Sequence, residues 1–297
     1  MQPPGDKQAS FGDWALAQRT RPNEVLEKID ALVDLSEAER RLEATYSELG
    51  RPGHRAAVLL RVMLLQHLYG LSDPQAEAQL GDRLSFQKFV GLHAGDAVPD
   101  ETAICRFRQR MIEAQLHERL LELLNAQLAA AGYLLKRTTL VDATLVESSR
   151  TRPDQALARE GKAPDADARY ARKNNRSYYG YKAHVSADGD NQLVCQAQIT
   201  PANVDDSQDN KNWLADRGIA NGILRKPVRF RKLTPEDHIR NRRKGHKRRR
   251  IERVFAHFKK WQHYRRVRYL GLVKNQLELT LKAVTYNLRR LVSLAAA

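Results

Sequence analysis

Two acidic residues stand where their surroundings argue against them. Asp142 lies inside Leu140-Val-Asp-Ala-Thr-Leu-Val146, a run of β-branched and apolar residues. A carboxylate is a poor strand residue, and burying one there without compensation is costly. The position calls for a buried Arg, a hydrogen-bond network or a metal ion, unless Asp142 faces the surface; the pattern leaves these open. Glu252 is the only acid between Asp237 and Glu278 and is embedded in Lys247-Arg-Arg-Arg-Ile-Glu-Arg253. On a helix, Arg248 at i−4 shares its face and Lys259 at i+7 lies two turns along it. Ordinary i,i+4 pairing, worth about 0.2–0.5 kcal/mol, is one account of this Glu. The other is a carboxylate that holds a divalent metal while its cationic neighbours hold phosphates. Phosphoryl transfer on nucleic acids uses that arrangement, with two metals roughly 3.5–4 Å apart held by carboxylates from separate elements. Mg²⁺, a hard octahedral ion that takes few carboxylates, suits it.

The charge distribution points the same way. The 297 residues carry a net charge of +16, and 19 of the 51 Lys and Arg fall between Arg225 and Leu270 with only three acids, so this tract holds the whole excess. Its densest part, Arg240-Asn-Arg242-Arg243-Lys244-Gly-His-Lys247-Arg248-Arg249-Arg250, is too concentrated for an ordinary solvated face. It predicts a grip on a polyanionic backbone that weakens with salt at a log–log slope of about −0.9 per contact on B-DNA. Phe255, Phe258, Trp261 and Tyr264 follow at helical spacing and read as core. No apolar run approaches the ~18 residues of a membrane span, and the N-terminus has no signal-peptide pattern. Two cysteines, Cys105 and Cys195, read as reduced thiols with no zinc site. The expectation is a cytosolic protein.

These residues need a scaffold, and the texture of the chain divides it in two. Residues 1–135 read as an all-helical domain: Arg55–Tyr69 is apolar on nearly every face and should be a buried helix ended by Gly70. Ser72 or Asp73 caps a short helix opening on Pro74, Asp100 caps another, and Gly132 closes the last. Short helices with tight turns, one bearing Arg106, Arg108 and Arg110, resemble a helix-turn-helix assembly; a helical bundle with solvated arginines is the plain alternative. Residues 136–297 read as α/β. Three strands are predicted at 138–146, 179–186 and 192–199, the last two a hairpin across Asp188-Gly-Asp-Asn191. The insert 148–177 has no periodicity and reads as a mobile surface loop. A short helix is expected over 207–217, then the basic tract 225–270 running into a helix over 247–260, and a final amphipathic helix over 275–292.

In order along the chain stand Ser10-Phe-Gly-Asp-Trp14, Val98-Pro-Asp-Glu-Thr-Ala-Ile-Cys-Arg-Phe-Arg108, Val141-Asp-Ala-Thr144, Ser177-Tyr-Tyr-Gly-Tyr-Lys-Ala-His184, Thr200-Pro-Ala-Asn-Val-Asp-Asp-Ser207, Arg250-Ile-Glu-Arg-Val-Phe255 and Arg268-Tyr-Leu-Gly-Leu272. Together they resemble the DDE transposases of bacterial insertion sequences, in the group called the fifth insertion-sequence family. The resemblance implies a ribonuclease-H-like catalytic domain after a helical domain for terminal inverted repeats. It also implies Mg²⁺- or Mn²⁺-dependent cleavage and strand transfer on double-stranded DNA, by a homodimer on DNA in the cytoplasm at the nucleoid. Asp142 matches the first catalytic carboxylate and metal ligand, and Glu252 the last. Arg248 and Lys259 fall at the family's spacing around the Glu, but Gly245 replaces its Tyr. Arg240, Arg242, Arg243, Lys244, Lys247, Arg249 and Arg250, with Arg106 and Arg110 in the helical domain, are the expected DNA contacts.

The middle carboxylate is the departure. In the family it follows a fourth strand, whereas here Asp206-Ser207 runs straight into Gln208-Asp-Asn-Lys-Asn-Trp-Leu-Ala-Asp-Arg-Gly218. Asp216 imitates the motif with Ile219 in place of Tyr; Asp205, Asp206 and Asp209 are further candidates. The expectation is a sheet short of one strand and an impaired copy arising from an in-frame deletion, with an inactive DNA-binding remnant as the alternative.

Overall fold

The computed structural model describes residues 14, 18, 22–46, 53–93, 95–135, 139–154, 156–157, 160, 162–173, 175–204 and 234–296, without the side chains of 240 and 242–249. Its contacts form two compact units, Met1–Ala114 and Gln115–Ala297. No helix among the described residues is long and apolar enough to cross a membrane.

The first unit is helical: α1 (Glu24–Leu32), α2 (Ser36–Glu43), α3 (Ala56–Tyr69), α4 (Asp73–Asp82), α5 (Leu84–Val90) and α6 (Glu101–Glu113). Helix α3 is buried on nearly all sides through Leu60, Val62, Met63, Leu64 and Leu65, as its all-round apolarity requires. It stops at Gly70, which takes φ 70, a left-handed cap that costs glycine little. The predicted caps form: Ser72 and Gln75 make a reciprocal capping box at α4, and the Asp100 carboxylate accepts from Ala103 N at 2.6 Å at α6.

The second unit opens with α7 (Leu116–Ala130), which the sequence reading grouped with the preceding helices. Its side chains explain the difference. Asn125 donates to the carbonyls of Val194 and Cys195 at 3.1 and 2.8 Å, tying α7 to the sheet. That sheet has four antiparallel strands: β1 (Thr139–Glu147), β2 (Arg169–Lys173), β3 (Arg176–Asp188) and β4 (Val194–Pro201). β3 is its spine, pairing with the other three. Gly180 is the glycine of the Tyr-Tyr-Gly-Tyr motif. At φ 156, a Cβ there would collide with Val146 O and Ser148 N, so the end of β1 can close on β3 only where a side chain is missing.

β2 lies inside the insert 148–177, expected from composition to be a mobile surface loop. Here a buried carboxylate does what periodicity could not announce. Asp165, 1% exposed, accepts from Ser148 Oγ and Tyr181 OH, each at 2.6 Å, and from Gly271 N at 3.4 Å, while Tyr179 OH donates to its carbonyl at 2.8 Å. The insert is thereby clasped to β1, β3 and the turn before the last helix, and the adjoining β2 pairs with β3.

Two helices complete the unit. Helix α8 (Pro235–Lys260) packs on β1, and α9 (Leu272–Ala295) packs on α7 and β4. Helix α8 starts well before the expected residue 247. Thr234 and Asp237 form a capping box with Pro235 in the first turn, and the Lys and Arg that follow are good helix formers. The outer edge of β4 is covered by side-chain amides of α9: Gln276 pairs with Ile199 N (2.9 Å) and Ala197 O (3.0 Å), and Asn287 with Val194 N (2.7 Å) and Val194 O (2.8 Å).

Candidate active site

Strand alternation puts Leu140, Asp142, Thr144 and Val146 on one face of β1. Leu140, Thr144 and Val146 are buried, and Asp142, opposite Val185 of β3, is half-buried. On α8, Ile251, Val254, Phe255 and Phe258 form the buried stripe. Phe258 meets Tyr286 of α9 edge-on at 5.9 Å, and His257 does so at 5.1 Å. At 100° per residue, Glu252 falls on the flank of that stripe away from His257; Glu252 is exposed and Lys259 lies two turns along the same flank. Arg248 occupies the same row, one turn before Glu252. Because α8 packs on β1, the strand bearing Asp142 and the helix bearing Glu252 are direct neighbours.

Beyond Glu252 the helix ends in a cluster of cations. Lys259 is half-buried, and its pKa is pushed down, first by burial and then by the charges of Lys173 on β2 and Arg265 in the following loop. Arg265 is placed by its own backbone, its carbonyl accepting from Glu147 N at 3.0 Å at the end of β1; Val267 N returns a bond to Glu147 O at 2.8 Å. Among the described residues, this single parallel bridge, Glu147 with Arg266, is the pairing on the edge of β1 away from β3.

Asp216, with Asp205, Asp206 and Asp209, lies outside the described residues, as does the helix expected over 207–217. Arg240, Arg242, Arg243, Lys244, Lys247, Arg248 and Arg249 lie on α8, with side chains outside the description. Arg250 donates to Gly189 O at 2.6 Å in the β3–β4 turn, so it also ties the helix to the sheet. In the helical unit Arg106 is exposed, whereas Arg110 stacks over the Tyr46 ring at 4.1 Å and Arg108 is buried on Asp73 at 2.7 Å. Phe255, Phe258 and Tyr264 are core, as expected. Trp261 is not: it caps α8 at 59% exposure with Lys260 over its ring at 5.2 Å. Asp165 is the residue that sequence reasoning passed over. Its only cue was an acid between Pro164 and Ala166 in a segment without periodicity.

Among the described residues no group of three or more His, Cys, Asp or Glu converges as a metal site. Asp142 and Glu252 are hard carboxylate donors on neighbouring elements, the donor type that a small divalent cation takes.

Three family models match the chain in sequence: a transposase domain (DUF772) over residues 14–110, and two transposase DDE domains over 133–216 and 225–292. Asp142 lies in the first DDE match and Glu252 in the second. No solved structure matches. DDE transposase domains have a ribonuclease-H-like fold and generally use divalent metal ions, which accords with a mixed α/β unit in which a strand carboxylate and a helix carboxylate are neighbours. With the DDE models spanning both elements of the site and a transposase domain preceding them, the chain belongs to the DDE transposases of insertion sequences.

Proposed function

We propose that this transposase binds the terminal inverted repeats of its element on double-stranded DNA and cleaves and joins strands there by metal-dependent phosphoryl transfer. The observation that carries the reading is the packing of α8 on β1, which makes neighbours of the elements bearing Glu252 and Asp142. Both carboxylates would hold Mg²⁺ or Mn²⁺, and such an ion supplies charge neutralisation at the phosphoryl group and activation of the attacking oxygen. Lys259 stands on the Glu252 flank to position a phosphate, with Arg248 in the same row. The basic residues from Arg240 to Arg250 grip the backbone, and Arg106 on α6 faces the solvent where a DNA groove can be read. Two ends must be brought together, so the working form is a homodimer on DNA, acting in the cytoplasm at the nucleoid.

The test is cleavage of inverted-repeat DNA with Mg²⁺ or Mn²⁺ by the parent chain, Asp142→Asn and Glu252→Gln. Both variants lose cleavage while keeping DNA affinity. A variant that cleaves as fast as the parent removes that carboxylate from the reaction.

A second reading, an impaired or inactive copy that still binds transposon ends, is favoured by a length. Only 32 residues, 202–233, join β4 to the cap of α8, and Asp216 stands 36 residues before Glu252 with no apolar run before it. A parent chain that binds inverted repeats tightly and neither cleaves nor joins them selects this reading. Strand transfer by the parent rejects it.

A further inference from the structure

The β2–β3 hairpin takes no part in the carboxylate site, yet its tip is built of charge. Lys173 and Arg176 stand directly opposite each other in the register, joined by Asn174 and Asn175. Asn175 takes φ 61, a left-handed conformation that asparagine tolerates and tight hairpin turns demand. Arg172 donates to Asn175 Oδ1 at 2.8 Å, and Arg172, Lys173 and Arg176 are all exposed. Like charges directly opposite on antiparallel strands destabilise the pair. Here the cost is compounded, because Lys173 also bears on Lys259 of α8, as does Arg265. Among the described residues none of Lys173, Arg176, Lys259 and Arg265 forms an ion pair, and the Glu147 carboxylate is already taken by Arg266 at 3.5 Å. Cations from a hairpin, a helix end and a loop therefore repel one another without internal counter-charge, a cost that an external polyanion would relieve. The three hairpin cations sit on an exposed turn, whereas a small anion is held in a concave pocket. Such a tip suits the backbone of a duplex lying across it.

We infer that the β2–β3 hairpin tip is a DNA-backbone clamp: Arg172, Lys173 and Arg176, together with Arg265, hold phosphates of duplex DNA beside the Lys259 end of α8. The inference rests on the chain being a DNA-binding transposase, and it assigns to the insert a role that the basic tract does not fill.

The experiment measures binding of the full chain to a duplex of the element's end and to an unrelated duplex between 50 and 200 mM salt. The parent is compared with the triple variant Arg172→Ala/Lys173→Ala/Arg176→Ala and the charge-keeping Arg172→Lys/Arg176→Lys. If three phosphate contacts are lost, the log–log salt slope of the triple variant falls by about 2.7 and its affinity drops about 40-fold less than the parent's across that range. The loss is equal on both duplexes, and the charge-keeping variant binds like the parent. A triple variant that unfolds at the parent's temperature but keeps the parent's affinity and slope overturns the clamp alone. A parent chain that binds neither duplex overturns the clamp and the proposed DNA-binding function together.

Discussion

Tyr181 donates its phenolic proton to Asp165 Oδ1 at 2.6 Å, and both residues are buried between the insert and the sheet. Burial and the adjoining carboxylate push the Tyr181 pKa far up, so the phenol stays a donor across the accessible pH range. Asp165→Asn puts an amide N–H where Ser148 or Tyr181 already offers a hydrogen. It should cost about 2–3 kcal/mol in denaturant unfolding and open the insert to proteolysis before the rest of the unit unfolds. Tyr181→Phe leaves two of the three donors to the carboxylate in place and costs less. An Asp165→Asn chain as stable and as protease-resistant as the parent would show that the clasp is not needed.

Asn287 bonds Val194 through both N–H and C=O while also donating to Asn125 Oδ1 at 3.0 Å. One buried amide thus joins α9, α7 and the edge of β4. Asn287→Leu fits the volume but strands the Val194 backbone and the Asn125 amide, and should cost about 2–3 kcal/mol. Asn125→Leu/Asn287→Leu should be less than additive, because the two share one network. Additive losses in a double-mutant cycle would contradict the network.

Lys282 and Glu278 form an ion pair at 3.4 Å inside α9, both nearly without exposure; Lys282 Nζ also donates to Gln262 O at 2.8 Å and lies 5.1 Å from the Tyr264 ring. Burial lowers the Lys282 pKa to about 8, with Glu278 opposing the shift. Lys282→Met leaves Glu278 buried with Arg268 as its remaining cation among the described residues, its backbone N at 3.0 Å, and should cost about 3–5 kcal/mol. Glu278→Gln/Lys282→Met should recover part of that loss. Recovery is read from the unfolding midpoints, and a double variant no better than the single one counts against the pair.

His257 sets a pH dependence. Burial, and then the Arg289 charge, lower its pKa to about 4 from an unfolded value near 6.5, and its ring packs edge-on against Tyr286. Between those values the unfolded chain binds the proton and the native chain does not, so the His257 contribution is present above pH 6.5 and is lost as pH falls toward 4. His257→Phe should flatten the stability profile in that window and leave it unchanged at pH 7.5. A profile with the same slope in parent and variant would assign the acid loss to other groups.

Sequence reading succeeded where one local rule acts alone. Helix α3 is apolar on all sides and is buried; Ser72, Asp100, Gly70 and Gly132 end helices as their side chains or lack of one require. The strand carrying Asp142 follows from a β-branched run, and the strand of the Gly180 motif from its tyrosines. What stayed hidden depends on partners distant in sequence. Asp165 gains its meaning from Ser148, Tyr181 and Gly271, and the attachment of α7 to the sheet from Asn125 reaching Val194. The start of α8 is written in Thr234-Pro-Glu-Asp237, a capping box that stands roughly three turns ahead of the densest charge at Lys247 to Arg250. At the site, the type and spacing of Asp142, Glu252 and Lys259 were visible. The neighbourhood of Lys173 was not, because a composition that looks loop-like conceals a strand ordered by one buried carboxylate.

The capping box at Thr234 has a mechanical consequence. From Pro235 to Lys260 the backbone is one uninterrupted helix, roughly 40 Å long at 1.5 Å per residue. The basic residues from Arg240 to Arg250 and Glu252 therefore belong to a single rod whose far half is seated on β1. A pull on its near half cannot be absorbed at a joint before Glu252. Displacement of its near half would be felt as a change in the spacing between the helix and the strand of Asp142.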